Sequence, residues 1–399
     1  MNQPPQKPLS SRRYWLILAV VALGIVTLAV IFLLYRLVQN QALRNLSGTQ
    51  TAGVDYSLSQ SPTVETTVEP ASIPTTDPNA PLSTQWRGAG GEAPVTLLPL
   101  AGPAAQSKAE FSGMAWYGDT LILLPQYPSR FGNVVFGLPK AAILSYLAGT
   151  SGDPLEPLQI PLITGGLEDQ VDDFEGFEAI AFAGDQVYLA IEASPGRQML
   201  GHLVAGRIAP DLSAITLDPA TLVENPPQAQ IDNFTDESLL VFDGALYTFF
   251  ENYGLDFNPH RVAHCFGFDL QPCPTPTLPF PAVEYRLTDV TPPNAQGRFW
   301  AINYFFTGDT KIAPQADPLA EQYGQGPTHA IYDTVERLVE FQIGPSGITF
   351  TGTAPIQLQL LEGDESRNWE GIALLDDQGF LVVTDKFPET LLAFISWED

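Results

Sequence analysis

Apolar residues in this chain recur as pairs of short runs on either side of a turn rich in Gly, Asp or Asn. Five pairs share one arrangement: a small or acidic residue opens the first run, and a polar residue closes the second. The opening and closing residues are 14 or 15 positions apart. The pairs are "SGMAWYGDTLILLPQ" (112–126), "EAIAFAGDQVYLAIE" (178–192), "ESLLVFDGALYTFFE" (237–251), "TDVTPPNAQGRFWAIN" (288–303) and "EGIALLDDQGFLVVTD" (370–385). This pattern predicts five antiparallel β-hairpins.

Further strand-like runs lie between these hairpins and extend each one to a unit of about four strands. They are "AAILSYL" (141–147), "HLVAGRIAP" (202–210), "HCFGFDL" (264–270) and "RLVEFQIGPSGITFTG" (337–352). The repeated unit predicts an all-β fold, a five-bladed β-propeller over residues 92–399. A six-bladed propeller is the alternative, if a degenerate blade lies between Asn303 and Glu370. Residues 93–100, "APVTLLPL", are predicted to supply the outer strand that the last blade lacks, which would close the ring.

The N-terminal region has a different pattern. Residues 14–36 form an apolar stretch that is long enough to cross a bilayer as a transmembrane helix. Basic residues are more frequent before it than after it, so the positive-inside rule predicts a single-pass membrane protein with a cytoplasmic tail at 1–13. Residues 37–91 are rich in Ser, Thr and Pro and lack apolar periodicity. They predict a disordered stalk that holds an extracytoplasmic domain off the membrane.

The charge balance restricts the partners. The chain carries 45 acidic and 18 basic residues, a formal net charge of −27, which argues against a nucleic-acid partner. An anionic substrate would need a bound cation or a local basic patch. Cys265 and Cys273 are the two cysteines; a disulfide and two unpaired thiols both fit their spacing.

The ends of the hairpins carry the candidate chemistry. In a propeller the first strand of each blade lines the central channel, and a hairpin returns its last residue to the same end. The first predicted ring is Ser112, Glu178, Glu237, Thr288 and Glu370. The second ring is Gln126, Glu192, Glu251, Asn303 and Asp385. Six carboxylates at one opening raise each other's pKa or recruit a cation, and oxygen ligands without a His or Cys cluster predict Ca²⁺. An empty polar channel is the alternative.

The first ring resembles that of the calcium-dependent nucleotidases, or apyrases, which are five-bladed propellers. In that family the inner strands open near a central calcium with Ser, Glu, Glu, Ser and Glu; here Thr288 replaces the second Ser and preserves the hydroxyl. The strings "GFEAIAF" and "WEGIALL" look like the corresponding family segments, and some members also carry an N-terminal membrane anchor. The resemblance covers the predicted propeller as a blade pattern, but the family's nucleotide-contacting residues outside the ring have no match here. The "EGIA" strings also resemble phytase-like, esterase-like propellers and, more weakly, lactonases of the regucalcin and paraoxonase type.

Calcium at this opening would act on a phosphate group as a Lewis acid and template, with Glu192, Glu251 or Asp385 as catalytic acid or base. Five basic residues that follow second strands are predicted to bind a phosphorylated small molecule: Arg130, Arg197, Arg261, Lys311 and Lys386. The long segment 309–333 is predicted to lie over the opening as a lid, with His329 as a surface residue.

Three functions remain open on the sequence. They are a calcium-dependent phosphohydrolase (a nucleotidase or phytase-like enzyme), a non-catalytic propeller that binds a ligand or a protein, and a lactonase or esterase. The chain has no Gly-x-Ser-x-Gly elbow, Walker loop or dinucleotide fingerprint, which argues against serine-hydrolase and P-loop chemistry. Neither the substrate nor a protein partner is identified by the sequence.

Overall fold

The computed structural model describes residues 91–363, 365–387 and 389–397. The predicted cytoplasmic tail, the predicted anchor and residues 37–90 of the predicted stalk lie outside this part. Within the described residues, no helix has both the length and the apolar character needed to cross a membrane.

The described chain is all-β, and its strands follow the five predicted repeats. Two short strands come first, β1 (Glu92–Ala93) and β2 (Thr96–Leu98). The first repeat contains β3 (Phe111–Tyr117), β4 (Thr120–Pro125), β5 (Val134–Pro139) and β6 (Leu158–Ile163). The second contains β7 (Phe174–Ala183), β8 (Gln186–Ala193), β9 (Leu200–Ile208), β10 (Ile215–Leu217) and β11 (Val223–Asn225). The third contains β12 (Asp236–Phe242), β13 (Ala245–Phe250), β14 (Asn252–Tyr253), β15 (Val262–Phe266) and β16 (Pro272–Pro279). The fourth contains β17 (Val283–Val290), β18 (Arg298–Phe305), β19 (Val335–Gly344), β20 (Gly347–Phe350) and β21 (Ile356–Leu358). The fifth contains β22 (Trp369–Leu375), β23 (Gly379–Thr384) and β24 (Leu392–Ser396).

Short helices join some of these strands. The described α-helices are Lys140–Leu147 and Pro318–Tyr323. The described 3₁₀ turns are Gly102–Ala105, Ser107–Ala109, Pro128–Phe131, Pro195–Arg197, Pro219–Thr221 and Thr310–Ile312.

The first strands of the five hairpins lie side by side in a closed cycle, in the order β3, β7, β12, β17, β22 and back to β3. Small residues allow this close approach: a Cβ on Gly113 would lie 3.3 Å from the Cα of Ala179, and one on Gly371 would lie 3.2 Å from the backbone nitrogen of Met114. A closed cycle of antiparallel hairpins is the topology of a β-propeller.

The hydrophobic core is divided in the same way. Five clusters of buried apolar side chains each lie between two neighbouring repeats, so that the clusters also form a cycle. Phe249 of the third repeat stacks 5.6 Å from Phe299 of the fourth, and Trp300 of the fourth meets Phe380 of the fifth at 5.5 Å. Each buried aromatic contributes about 2 kcal/mol of hydrophobic stabilisation, so these contacts stabilise the packing of neighbouring repeats.

Both ends of the domain close the ring. Strand β2 pairs antiparallel with β24, with Leu97 opposite Ala393, and so supplies the outer strand of the fifth repeat as the sequence predicts. Strand β1 pairs in parallel with β21 of the fourth repeat. Between Asn303 and Glu370, no further hairpin enters the cycle in the described part of the chain.

One predicted strand is wrong. Residues 141–147 lie in the helix Lys140–Leu147, and the third strand of the first repeat is instead β5, just before it. A short apolar run does not distinguish a strand from a helix, and Ala and Leu are good helix formers.

A second difference is that β6 and β10 pair in parallel, which joins the first two repeats into one hydrogen-bonded sheet.

The long segment 309–333 is fixed to the fourth repeat. The Arg337 side chain, which is buried, donates to both carboxylate oxygens of Asp317 at 2.6 and 3.1 Å. His329 is also buried. Its Nδ1 lies 2.9 Å from Glu92 Oε1, and its Nε2 accepts from the backbone N–H of Glu336. The prediction of a surface histidine is therefore wrong: a buried, hydrogen-bonded imidazole holds the segment to β1.

The two cysteines form a disulfide between β15 and β16. The Cα atoms of Cys265 and Cys273 are 5.4 Å apart. Of the two alternatives that the spacing leaves open, the structure contains the bonded one.

Candidate cation-binding site

A cavity of about 730 Å³ opens at the end of the propeller where the first strands begin and the second strands end. Its wall contains seven acidic residues: Glu110, Glu178, Glu192, Glu237, Glu365, Glu370 and Asp385. Ser112 and Gln126 also line it. Four of the five first-ring residues and three of the five second-ring residues therefore meet at this opening.

Each first-ring residue lies at an irregularity in its hairpin. In the first repeat, Phe111 pairs with Pro125 but Gly113 pairs with Leu124, so Ser112 has no partner in the ladder. The other four first-ring residues also lie at a register shift, each in its own hairpin: Glu178, Glu237, Thr288 and Glu370. A β-bulge bends the strand and re-aims the side chain. Because of the bulges, the side chains of these residues do not pack on the apolar faces of their strands.

The two hydroxyl members of the first ring tie neighbouring strands together. Ser112 Oγ donates to the backbone oxygen of Phe177, and Thr288 Oγ1 donates to that of Trp369 at 2.6 Å. Each acceptor immediately precedes an acid of the ring, Glu178 or Glu370. Thr288 is completely buried and does not line the cavity.

The second ring is divided between the wall and the layer behind it. Glu192 and Asp385 line the cavity, and Glu192 accepts from Thr235 Oγ1 at 3.2 Å. Glu251 lies behind the wall with no exposed surface, and its Oε1 bonds Arg286. Asn303 donates to backbone oxygens of the adjacent strand and does not reach the cavity.

Arg286 is the functional residue that the sequence reasoning missed. It lies on β17, lines the cavity, and bonds Glu251 and Asp309. Its guanidinium also lies 4.1 Å from the ring centre of Phe234. The repeat contained a signal for Arg286. Of the five residues that lie two positions before a first-ring residue, it is the only basic one. The others at that position are Glu110, Gly176, Thr235 and Asn368.

The carboxyl groups of the cluster hold their protons strongly. Burial, and then the nearby Glu251, Glu175 and Asp385 charges, raise the pKa of Glu178 to about 8, although a hydrogen bond from Gln126 opposes the shift. Burial also raises the pKa values of the other five acids of the two rings, and neighbouring carboxylates contribute further to all of them except Asp385. Burial alone would lower the pKa of Arg286, but Glu251, Glu237 and Asp309 raise it by more. The cluster therefore combines several carboxyl groups, whose protonated form burial favours, with one guanidinium.

The five basic residues predicted to bind substrate do not converge. Lys386 lines the cavity. Arg130 pairs with Glu110 at 2.8 Å, and Lys311 donates to the backbone oxygen of Asp232. Two more lie away from the cavity wall. Arg261 donates to the backbone oxygen of Asn258, and Arg197 belongs to the turn Pro195–Arg197.

The cavity wall contains oxygen ligands of the types that a hard divalent cation would need. Among the described residues, no three His, Cys, Asp or Glu side chains are already drawn together as a metal-ligand group. The carboxyl groups are nevertheless close enough that neighbouring carboxylates add to the effect of burial in raising the pKa of Glu178. Carboxylate, hydroxyl and amide oxygens are the ligands that calcium prefers.

Comparisons with known proteins add little to this assignment. No protein-family model matches the chain, and no curated protein matches it. A GH43_1 enzyme from Xanthomonas citri is 12% identical with a TM-score of 0.39, over 78% of this chain and 92% of that one. An α-L-arabinanase mutant from Cellvibrio cellulosa is 11% identical with a TM-score of 0.37, over 72% and 90%. A glycoside hydrolase from Bacteroides ovatus is 8% identical with a TM-score of 0.41, over 78% and 96%. At such low similarity these structures carry no argument about activity, and the propeller assignment depends on the closed cycle of hairpins.

Proposed function

We propose that this protein is a five-bladed β-propeller whose acidic opening binds calcium, and that it acts as a calcium-dependent phosphohydrolase. The observation that supports the proposal is the meeting of ring acids from three hairpins in one cavity that contains a single buried guanidinium. The five-fold cycle of inner strands supports the blade count. The resemblance of the first ring to the apyrase pattern agrees with this reading.

The residues of the chain would have distinct roles. Glu178, Glu237 and Glu370 would hold the ion, and Ser112 would fix the strand beside Glu178. Bound calcium supplies Lewis-acid stabilisation of phosphate oxygens. Lys386, at the edge of the cavity, would attract the anionic group.

Proton transfer would fall to the second ring. Burial and neighbouring carboxylates raise the pKa of Glu192 well above its ordinary value. Glu192 would act as the proton donor to a leaving group. Asp385 is raised less and is held by the backbone N–H of Phe387 at 2.8 Å, so it would serve as the acceptor.

A second candidate function is a non-catalytic propeller that binds a ligand, with calcium joining the blades. One observation favours it: of the five basic residues predicted to recognise phosphate, Lys386 alone lines the cavity. Phosphate sites normally combine several positive groups.

The proposed location is extracytoplasmic, behind the transmembrane anchor predicted at residues 14–36. The disulfide between Cys265 and Cys273 supports this location, because such bonds persist in oxidising compartments.

The test uses the purified full-length chain in detergent. Bound metal is measured by mass spectrometry, and hydrolysis is measured on nucleotides, inositol phosphates and lactones with calcium or with a chelator. A phosphohydrolase releases phosphate with calcium, and the activity is lost in Glu237→Gln but retained in the matched surface variant Glu156→Gln. Calcium that raises the melting temperature without any hydrolysis supports the binding function instead. A chain that binds no calcium contradicts both.

A further inference from the structure

Two of the predicted substrate-binding cations meet at one carboxylate on the rim of the opening. Arg130 Nη1 lies 2.8 Å from Glu110 Oε2, and Lys386 Nζ lies 3.8 Å from the same oxygen. The cations come from different repeats, because Arg130 belongs to the turn Pro128–Phe131 of the first repeat and Lys386 follows β23 of the fifth. Glu110 and Lys386 both line the cavity. Two positive charges are therefore brought together at the boundary between these repeats.

Glu110 is more deeply placed than the cations that it pairs with. Its side chain is 11% exposed, whereas those of Arg130 and Lys386 are 36% and 44% exposed. Its backbone has φ 41° and ψ 70°, in the left-handed region that residues with a side chain rarely adopt. Its backbone oxygen accepts from the backbone N–H of Gln126 at 2.7 Å, which fixes this conformation at the end of the first hairpin. The carboxylate is thus held in the cavity wall, and both cations remain accessible from solvent.

The two cations are only partly satisfied by this carboxylate. The Arg130 guanidinium is positioned by the ring of Tyr127, whose centre lies 4.1 Å away, and by the backbone oxygen of Lys108 at 3.4 Å. Both cations share one oxygen of Glu110, and the 3.8 Å distance to Lys386 is longer than a hydrogen bond. A phosphate group carries more negative charge and several strong acceptor oxygens, and arginine binds it with two parallel hydrogen bonds. Each cation would therefore gain an oxygen of its own from a phosphate.

We propose that Arg130 and Lys386 form a phosphate-binding subsite at the rim of the opening, and that Glu110 is its built-in occupant, which a phosphate group of the ligand displaces. Ion pairs between exposed side chains contribute little to stability, so the exchange of Glu110 for a stronger anion costs the fold little. The inference deepens the proposed function and rests on it, because it assigns recognition of the ligand's phosphate to named residues of the same opening.

The test is the binding of inorganic phosphate to the full-length chain in detergent, measured by phosphorus NMR and calorimetry with a chelator, so that neither calcium nor hydrolysis contributes. Glu110→Gln removes the occupant and is expected to bind phosphate about fivefold more tightly than the wild type, because a competing carboxylate is lost. Arg130→Gln in the same background removes one cation and is expected to cancel the gain, whereas Arg130→Lys keeps the charge and is expected to retain part of it. Glu156→Gln makes the same change of charge at an exposed position and serves as the matched control.

The outcomes separate this inference from the proposed function. Equal phosphate affinity in Glu110→Gln and Glu156→Gln overturns the inference, even if the wild type releases phosphate from its substrates with calcium. A gain that survives Arg130→Gln also overturns it, because the cations then do not hold the anion. Acetate binding as tight as phosphate binding contradicts the assignment to a phosphate group. The expected gain in a chain that hydrolyses no phosphate ester supports the subsite and favours the non-catalytic binding function.

Discussion

Replacing Glu178 with Gln should stabilise the protein when divalent cations are absent, and the gain should increase with pH. Glu178 is only 6% exposed, and burial followed by neighbouring carboxylates raises its pKa from an ordinary 4.5 to about 8. The folded state therefore binds this proton more strongly than the unfolded state. The resulting stability is fully present below about pH 4.5 and is lost as the pH rises towards 8.

The size of the effect follows from the shift. At 1.36 kcal/mol per pKa unit, the loss is about 5 kcal/mol of unfolding free energy for this group. A glutamine at 178 has no charge to bury and retains polar atoms beside Gln126. The variant should therefore lose stability less steeply with pH than the wild type.

The assay is urea unfolding of the full-length chain with a chelator, at several values between about pH 5 and pH 9. Glu156→Gln is the matched control, because Glu156 is exposed, and its pH dependence should equal that of the wild type. A wild-type stability that stays constant or rises over this range would refute the reasoning. So would a Glu178→Gln variant with the wild-type slope.

Three further predictions concern the scaffold. Asp317→Ala should destabilise the protein by about 3–5 kcal/mol, because it leaves the buried Arg337 without its carboxylate partner and with only the neutral Asn303 oxygen as an acceptor; urea unfolding measures this, and a loss below 1 kcal/mol would contradict it. Reducing the Cys265–Cys273 bond, which closes a separation of 8 residues, should lower the unfolding free energy by about 2–3 kcal/mol, as urea curves with and without reductant would show; unchanged curves would contradict a stabilising disulfide. Asp289→Ala should lower the melting temperature, because the buried Asp289 carboxylate accepts the backbone N–H of Ile372 from a neighbouring strand at 2.8 Å; calorimetry that finds no change would argue against this bridge.

Much of the fold could be predicted from local pattern. The five hairpins have short apolar runs and tight-turn residues at constant spacing, so their existence and order followed from the sequence. The pairing of β2 with β24 could also be predicted, because the fifth repeat had one strand too few. The helix Lys140–Leu147 could not, since seven apolar or small residues satisfy either a strand or a helix.

Within the candidate site, the residues that could be predicted are those that occupy the same position in each repeat. Ser112, Glu178, Glu237 and Glu370 meet at the cavity because the same hairpin position recurs around a ring. Arg286 was not predicted, although it is the only basic residue at its position in the repeat, because its contact with Asp309 joins two parts of the chain that no local pattern relates.

Long-range contacts also decide the position of segment 309–333. Its length and polarity suggested a lid. The bonds of Asp317 with Arg337 and of His329 with Glu92 join it to the body of the domain. Such pairs join residues far apart in the sequence and leave no local signal.

The central claim is that the acidic opening holds a divalent cation. Anomalous diffraction from crystals grown with calcium or terbium tests it most directly. The account predicts a peak about 2.3–2.6 Å from carboxylate oxygens of Glu178, Glu237 and Glu370. Crystals grown with the cation that show no anomalous peak in this cavity, or show peaks only at the outer surface, would contradict it.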